Sequence, residues 1–223
     1  MCYRLLVLVA LLALASLASA ADVFVIEDWS KQPLNTRGIP QDWKGQNWGN
    51  PTYDMRVVEE DGRRVLHLLS KNEGSTVTKD LKGKINLKET PILEWTWKAV
   101  VLPQGGDSRH KDTDDQAAQI YVTFPRFPEA VRSRIIGYVW DTTAPAGTII
   151  KSGKTSTITY VVVRSGPADL GKWITEKRNV LDDFKTLYRE EPDQLGGISV
   201  GIDSNDTRSS AESYLGAIIF RKP

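Results

Sequence analysis

Cysteine and histidine are scarce in this sequence, and their scarcity excludes several kinds of chemistry. The only cysteine is Cys2, in an apolar N-terminal segment, and the only histidines are His67 and His110. One cysteine cannot form an intramolecular disulfide, so the fold must be held together by its core alone. A histidine-rich zinc site and thiol catalysis in the mature chain are excluded for the same reason.

The chain also lacks an excess of charge and the phosphate-binding motifs of nucleotide-binding proteins. Outside residues 1–20 it carries 28 basic and 28 acidic residues, since Arg4 is the only charged residue of that segment. This balance gives no electrostatic reason to expect nucleic acid or an anionic membrane as a partner. No phosphate-binding glycine loop is present, and no internal repeat is found.

A long apolar run occurs only at the N-terminus. After Arg4 the segment LLVLVALLALASLASA stays apolar up to Ala20 and ends in an A-x-A motif. The pattern is typical of a secretory signal peptide, and a retained N-terminal anchor is the alternative. We therefore expect a leader at residues 1–20, cleaved after Ala20, and a periplasmic or secreted protein with no integral membrane span in the mature chain.

The remaining residues, 21–223, are expected to form a single domain made mostly of strands. Apolar and polar residues alternate in several segments, which are rich in β-branched and aromatic residues. Residues 55–69 form a hairpin candidate with Asp61-Gly62 at its turn, and residues 142–157 look like a long hairpin loop. The other strand candidates are LEWTWKA (93–99), AAQIYVTF (117–124), RIIGYVW (134–140), STITYVVVR (156–164), GISVGID (197–203) and YLGAIIF (214–220).

One segment has helical spacing instead. Apolar residues recur every three to four positions in NVLDDFKTLYREEP, Asn179 can cap the start, and Pro192 follows the end. One helix among eight to ten strands favours an all-β fold over a βαβ sheet. The predicted fold is an antiparallel jelly-roll-type β-sandwich, galactose-binding-like or concanavalin-like, with one inserted amphipathic helix near 180–190.

An acidic cluster precedes one strand and a second follows another. KDTDDQ contains Asp112, Asp114 and Asp115, while GIDSNDT places Asp203 at a strand end. Alternation puts Asp115, Tyr121 and Asp203 on the faces that point away from the core. Hard cations prefer such oxygen ligands, so a Ca²⁺ site formed by Asp112, Asp114, Asp115 and Asp203 is one prediction, although the spacing does not fit an EF-hand. A solvated or salt-bridged loop is the alternative.

The tryptophans fall into two groups. Trp95, Trp97 and Trp140 share a face with apolar residues and are predicted core residues. Trp43 and Trp48 lie in the polar stretch QDWKGQNWGNP, where an exposed ring could stack on the apolar face of a sugar. The alternative for both is that a large ring with one N–H group is buried in the core.

An enzyme is a further alternative. Glycosidases use two carboxyl groups roughly 5–10 Å apart. Glu94, Glu176 and the aspartates of the acidic clusters are possible members of such a pair, but no motif assigns either glutamate a role.

Taken together, six motifs resemble an exported bacterial family catalogued as domain of unknown function 3047. They are LEWTWK, KDTDDQAAQIYVTF, GYVWDTTAPAGT, VVVRSG, GKWITEKRNVLDDFKTLY and GIDSNDT, and the resemblance covers about residues 23–221. It implies a periplasmic or secreted β-sandwich and brings no activity, cofactor or catalytic residue. The Asn205-Asp206 order departs from the family pattern, whereas the motifs agree at Asp112, Asp114, Asp115, Arg164, Glu176, Arg178, Asn179 and Asp203.

Three functions follow from these patterns. The first is a non-catalytic, carbohydrate-binding-like β-sandwich whose ligand is contacted by Asp115, Asp203, Tyr121, Trp43, Trp48, Arg164 and Arg178. The second is a polysaccharide hydrolase or lyase. The third is an envelope structural or partner-binding protein, in which Arg164 or Arg178 pairs with the acidic clusters and latches the loops together.

Overall fold

The computed structural model describes residues 23–223 and shows a β-sandwich. The predicted signal peptide, its cleavage after Ala20 and Cys2 lie outside the described residues. Within residues 23–223, no helix has the length and apolar character needed to cross a membrane. The strands are β1 (Val23–Glu27), β2 (Lys44–Gly45), β3 (Met55–Glu60), β4 (Arg63–Lys71), β5 (Gly74–Asp80), β6 (Ile92–Val101), β7 (Ala118–Phe124), β8 (Arg134–Asp141), β9 (Ile149–Lys151), β10 (Ile158–Ser165), β11 (Ile174–Asn179), β12 (Gly197–Asp203) and β13 (Ser210–Arg221).

The strands form two sheets. Sheet I has the order β11-β6-β13-β4-β3, and β1 pairs with β13 beside this path. Sheet II has the order β2-β5-β12-β7-β8-β10-β9. The predicted β-sandwich and the β3–β4 hairpin around Asp61-Gly62 are therefore confirmed.

The stretch 142–157 is not a hairpin loop, and that prediction is wrong. The strands on either side of it, β8 and β10, pair in parallel. A parallel pair needs a crossover connection rather than a hairpin. Part of the stretch forms β9, which pairs antiparallel with β10 at the edge of sheet II. The stretch therefore runs back along this edge of sheet II, and Lys154 lies in the turn between β9 and β10.

Alternating apolar residues of the two sheets meet in one core. Trp95 and Trp97 of β6 are fully buried and contact sheet II. The Trp95 ring stacks on Tyr138 with a centroid separation of 5.4 Å, and Trp97 lies 5.9 Å from Trp140. The prediction that Trp95, Trp97 and Trp140 are core residues is confirmed.

Two short helices complete the fold: α1 (Glu129–Arg132) and α2 (Val180–Tyr188). The second is the predicted amphipathic helix. The Asn179 side chain accepts a hydrogen bond of 3.1 Å from the Asp182 N–H and so caps its start. Phe184 is buried against Phe124, with ring centroids 4.6 Å apart. The helix ends at Arg189, whose left-handed backbone (φ 58°) directs its N–H to the Lys185 carbonyl oxygen.

We expect Asn179→Ala to lower the free energy of unfolding by about 1 kcal/mol, because the substitution removes the side-chain acceptor at the first turn of α2. Asn179→Ser keeps an acceptor and should retain most of the stability. Urea unfolding followed by circular dichroism measures both variants. Equal losses in the two variants would show that the cap does not stabilise the helix.

Candidate functional site

The two acidic clusters meet at one end of sheet II. The strands β7 and β12 are antiparallel neighbours, with Gly201 opposite Gln119. The Asp203 N–H donates a 3.0 Å hydrogen bond to the carbonyl oxygen of Gln116. The end of β12 therefore lies beside the start of β7, and the structure brings Asp114, Asp115 and Asp203 together. We call Asp114, Asp115, Asp203, Asp206 and Lys154 the acidic site.

Asp115 is a structural member of the acidic site. Its side chain is 0% exposed and accepts hydrogen bonds from the Asp206 N–H (3.2 Å), the Thr207 N–H (2.6 Å) and the Thr207 hydroxyl (2.6 Å). A carboxylate with several donors is well satisfied in a buried position. Asp115 therefore fixes the loop that follows β12 and does not face solvent.

Asp114 is also buried, but its environment is less favourable for a charge. It accepts hydrogen bonds from Gln116 Nε2 (2.6 Å) and from the Tyr160 hydroxyl (3.3 Å). Burial raises the pKa of Asp114 to about 6, although the nearby Lys154 ammonium lowers it in part. Lys154 itself forms an ion pair with Asp206. This lysine comes from the crossover between β8 and β10.

Asp114 and Asp203 both have a raised pKa, and the pKa of Asp203 is the higher of the two. Burial raises its pKa to about 8, and the negative charge of Asp115 adds to the shift. Among residues 23–223, its carboxyl group accepts one hydrogen bond, from the Asn205 N–H at 3.2 Å. The side chain lies against Gly74 of β5, where an added Cβ would be 2.8 Å from Asp203 Oδ1. Near neutral pH, Asp203 is therefore a partly exposed carboxyl group that is largely uncharged, and its proton is shared with the Asp115 carboxylate.

Tyr121 lies beside these acids on the outer face of sheet II. Burial, Tyr160 and Asp114 together raise its pKa well above the usual range. The two tyrosine rings cover Gly137 of β8, where an added Cβ would lie 2.9 Å from each. The expected position of Tyr121 on the face away from the core is confirmed, since its ring packs with the small cluster on that face.

Trp48 is exposed and lies in a loop that is held next to the end of β12. Its side chain is 62% exposed. The Gln46 amide group donates to the carbonyl oxygens of Trp48 (3.0 Å) and Gly74 (3.4 Å) and accepts from the Thr76 N–H (2.8 Å). Because Gly74 contacts Asp203, the Trp48 loop borders the acidic site.

Trp43 cannot stack on a ligand, so its predicted ligand contact is wrong. It is 5% exposed and stacks on Trp29 with a centroid separation of 5.7 Å. Its indole N–H donates to Glu27 at 3.1 Å. The ring is a buried one whose N–H is satisfied inside the protein, which was the alternative interpretation.

The predicted latch between arginines and the acidic clusters is also wrong. Arg164 binds Glu176 at 2.6 Å and Asp169 at 3.1 Å. Arg178 binds Asp183 at 2.9 Å, and the same carboxylate accepts from the Tyr138 hydroxyl. Both arginines lie where β11 faces sheet II, away from the acidic site. The loops of the acidic site are held together instead by Asp115, which binds Thr207, and by Lys154, which binds Asp206.

Glu94 and Glu176 do not form a catalytic pair. Residues directly opposite each other in an antiparallel pair lie on the same face of the sheet. Glu176 is opposite the core residue Trp95, whereas Glu94 is opposite Lys177 on the outer face. The two glutamates therefore point to opposite sides of sheet I. Glu94 is paired with Arg221 at 3.0 Å.

The aspartates of the predicted calcium site lie in different environments. Asp112 lies on an exposed 3₁₀ turn, apart from the buried aspartates. Asp115 already accepts three hydrogen bonds from the 206–207 backbone and side chain. In the part of the chain from Val23 to Pro223, no group of three or more His, Cys, Asp or Glu residues is arranged to hold a metal ion. The calcium site remains a prediction that this geometry does not support.

Sequence reasoning missed Lys154, Thr207 and Gln46. Lys154 comes from the stretch that was interpreted as a plain hairpin loop. Thr207 follows Asp203 within GIDSNDT, and its role depends on the contact with Asp115, 92 residues earlier. Gln46 acts through a side chain that reaches a neighbouring strand. No local pattern encodes any of these three contacts.

Comparison with known proteins identifies a family and several folds of similar shape. The sequence profile described as "Protein of unknown function (DUF3047)" matches residues 41–219. No curated protein matches the sequence.

Two solved structures illustrate the similarity in shape. The family 11 carbohydrate-binding module of the cellulosomal cellulase Lic26A-Cel5E of Clostridium thermocellum shares 8% identity, covering 92% of this chain and 97% of that one, with a TM-score of 0.48. The CBM22-1 xylan-binding domain from Paenibacillus barcinonensis Xyn10C shares 12% identity over 92% of this chain and 99% of that one, with a TM-score of 0.43. No ligand or residue role is transferred from either.

We expect the stability of the protein to fall as the pH rises from about 4 to about 8, in part because of Asp203. In this range the folded protein keeps the Asp203 proton, whereas an unfolded chain with the ordinary pKa of 3.8 has released it. The contribution of Asp203 is complete below pH 3.8 and is lost as the pH passes 8. Asp203→Asn should therefore melt at a temperature that depends less on pH than that of the wild type.

Thermal melts between pH 5 and pH 9 test this expectation. Asp112→Asn is the matched control, because Asp112 lies on an exposed turn outside the acidic site. Its melting temperature should change with pH as that of the wild type does. If the melting temperatures of the wild type and Asp203→Asn changed equally with pH, the raised pKa of Asp203 would be contradicted.

We also expect that neither Ca²⁺ nor a chelator changes the melting temperature of residues 21–223. A ligand that binds only the folded state raises its stability, so a bound ion would be detected as a shift. The described carboxylates offer no suitable group for such an ion. A rise with millimolar Ca²⁺ that Asp203→Asn abolishes would restore the calcium site.

Proposed function

The chain belongs to the DUF3047 family of proteins of unknown function, and we propose that it is an exported, non-catalytic β-sandwich that binds carbohydrate at the acidic site. The proposed location, periplasmic or secreted, rests on the apolar leader and the A-x-A motif at residues 18–20. The ligand class rests on the chemistry of the acidic site and the adjacent outer face of sheet II.

One observation supports the proposal most: the loop that carries an exposed indole ring borders a partly exposed carboxyl group and a strip of hydroxyl groups. Trp48 is 62% exposed beside the end of β12. Thr76, Thr78 and Ser199 place hydroxyl groups on the outer face of the adjacent strands, and the last two lie 2.8 Å apart. This combination suits a sugar, because its ring has an apolar face and its hydroxyl groups both donate and accept hydrogen bonds.

The protonation of Asp203 favours such a ligand over a cation. With a pKa of about 8, the acid near neutral pH is largely uncharged, so it attracts a cation less than a carboxylate would. A neutral carboxyl group still has oxygen lone pairs that can accept a hydrogen bond from a sugar hydroxyl. Lys154 adds a donor at the same end, since its side chain is 34% exposed.

Hydrolysis is less well supported by the same site. A glycosidase needs two carboxyl groups that both face the scissile bond. Asp115 is enclosed by the backbone of residues 206–207 and is 0% exposed. Asp203 therefore has no accessible carboxylate partner in Asp115, and a binding role fits the geometry better than catalysis.

We expect residues 21–223 to bind at least one neutral polysaccharide and Trp48→Ala to weaken that binding about tenfold, or about 1.4 kcal/mol. The loss would follow from removal of the exposed ring face that borders Asp203. Affinity electrophoresis against dextran, pullulan, galactomannan and xylan finds the ligand, and calorimetry measures its affinity.

Trp48→Phe is the matched control, since it keeps an aromatic face at the same position. It should retain most of the affinity. The proposal fails if the wild type binds none of these polysaccharides, or if Trp48→Ala binds as tightly as the wild type. Release of reducing sugar by the wild type would instead favour the hydrolase.

A further inference from the structure

A hollow lies at the end of sheet II opposite the acidic site. It has a volume of about 520 Å³ and is lined by residues that follow β7 and residues that follow α2. Because β7 has seven residues and begins beside the acidic site, the two ends are separated by roughly 20 Å. The hollow is therefore not an extension of the acidic site. Its volume is within the range of about 300–1,000 Å³ that is usual for small-molecule sites.

An exposed phenylalanine forms one border of the hollow. Phe127 is 87% exposed, more than any other large apolar side chain among residues 23–223. Its position is held by the Arg132 side chain, whose Nη1 donates to the Phe127 carbonyl oxygen at 3.1 Å. A single exposed apolar residue needs no functional explanation. What distinguishes Phe127 is the polar wall next to it.

The polar wall is built around Arg126, whose side chain is held in place by two acids. Its guanidinium group contacts Glu190 Oε2 at 2.8 Å and also contacts Asp193. Glu190 is held in turn by Arg134, through a hydrogen bond of 3.1 Å to its other oxygen. These pairs fix planar hydrogen-bonding groups before any ligand arrives, which lowers the entropy lost on binding.

Other polar side chains of the hollow remain available for a ligand. In the part of the chain that the structure describes, the side chains of Lys82, Glu129 and Gln194 have no hydrogen-bond or ion-pair partner. Together they offer an ammonium group, a carboxylate and an amide. The hollow thus combines donors and acceptors with one exposed aromatic ring.

The charges that line the hollow balance. Lys82, Arg126 and Arg132 oppose Glu129, Glu190 and Asp193. A wall with three charges of each sign has no net attraction for an anion or a cation, so its chemistry favours a neutral, hydroxyl-rich ligand with one apolar face. We propose that the hollow is a second carbohydrate site, in which a neutral pyranose stacks on Phe127 and hydrogen-bonds to Arg126, Asp193 and Gln194.

The proposal takes its ligand class from the proposed function but does not depend on the acidic site. We expect Phe127→Ala to lower the affinity for the polysaccharide that the wild type binds best by about tenfold, because the stacking face is removed. Phe127→Tyr keeps the ring and should retain the affinity. Calorimetry with that polysaccharide, chosen from dextran, pullulan, galactomannan and xylan, measures each variant.

Val131→Ala is the matched control for a change in fold or surface. Val131 is 60% exposed, close to Phe127 in sequence, and does not line the hollow. This variant should bind as the wild type does, and all variants should melt at the wild-type temperature. A loss of affinity in Val131→Ala equal to that in Phe127→Ala would overturn the proposal.

The Trp48→Ala and Phe127→Ala variants separate the two sites. If Trp48→Ala weakens binding and Phe127→Ala does not, the second site is wrong and the acidic site stands. If Phe127→Ala alone weakens binding, the second site is supported and the placement of the ligand at the acidic site is wrong. A wild type that binds no polysaccharide overturns both. Phe127→Ala could also leave the affinity unchanged and alter only the sedimentation coefficient. The ring would then belong to a contact between protein molecules, and the second site would be wrong.

Discussion

Contact between the aromatic rings of β6 and β8 is the interaction on which the rest of the structure depends. Trp95 stacks on Tyr138, Trp97 contacts Trp140, and Trp95 and Trp97 meet edge to face at 5.3 Å. These rings join the two sheets near their centre. The only cysteine is Cys2, so no disulfide can replace that contact. Large buried aromatic rings contribute much of the energy of a core, and here they fix the distance and the register of the two sheets.

Two neighbouring acids in this frame have different roles because their surroundings differ. Asp115 is buried with three donors and therefore organises the loop after β12. Asp203 has a single backbone donor, and its burial, together with that negative charge, raises its pKa to about 8. The stabilised carboxylate belongs to the scaffold, whereas the acid with the raised pKa is partly exposed at the edge of the site.

The sequence predicts the elements of this fold better than their arrangement. Alternation identified most strands and the inward tryptophans, and the Asn179 cap marked α2, since both are local patterns. The parallel pairing of β8 with β10 is decided by packing between distant segments, so the pattern gave no sign of it. Trp43 and Trp48 are five residues apart in one polar stretch, yet one is buried and the other exposed. Trp43 differs from Trp48 through contacts with distant residues, since it stacks on Trp29 and its N–H donates to Glu27.

For the site residues, too, local patterns could be predicted from the sequence and contacts between distant segments could not. Alternation placed Asp203 at the end of β12, but Asp115 is enclosed by the following loop and does not lie on the open face. The meeting of the two acids required only that β7 and β12 be neighbours. The partners of the acids could not be predicted, because Lys154 and Thr207 reach them through loops whose course depends on the whole sandwich. Loops can carry function because the core beneath them holds their ends in place. In this protein the ends of β7 are anchored beside β12 by the same sheet, so two chemically different surfaces, one acidic and one balanced in charge, are held at a fixed separation.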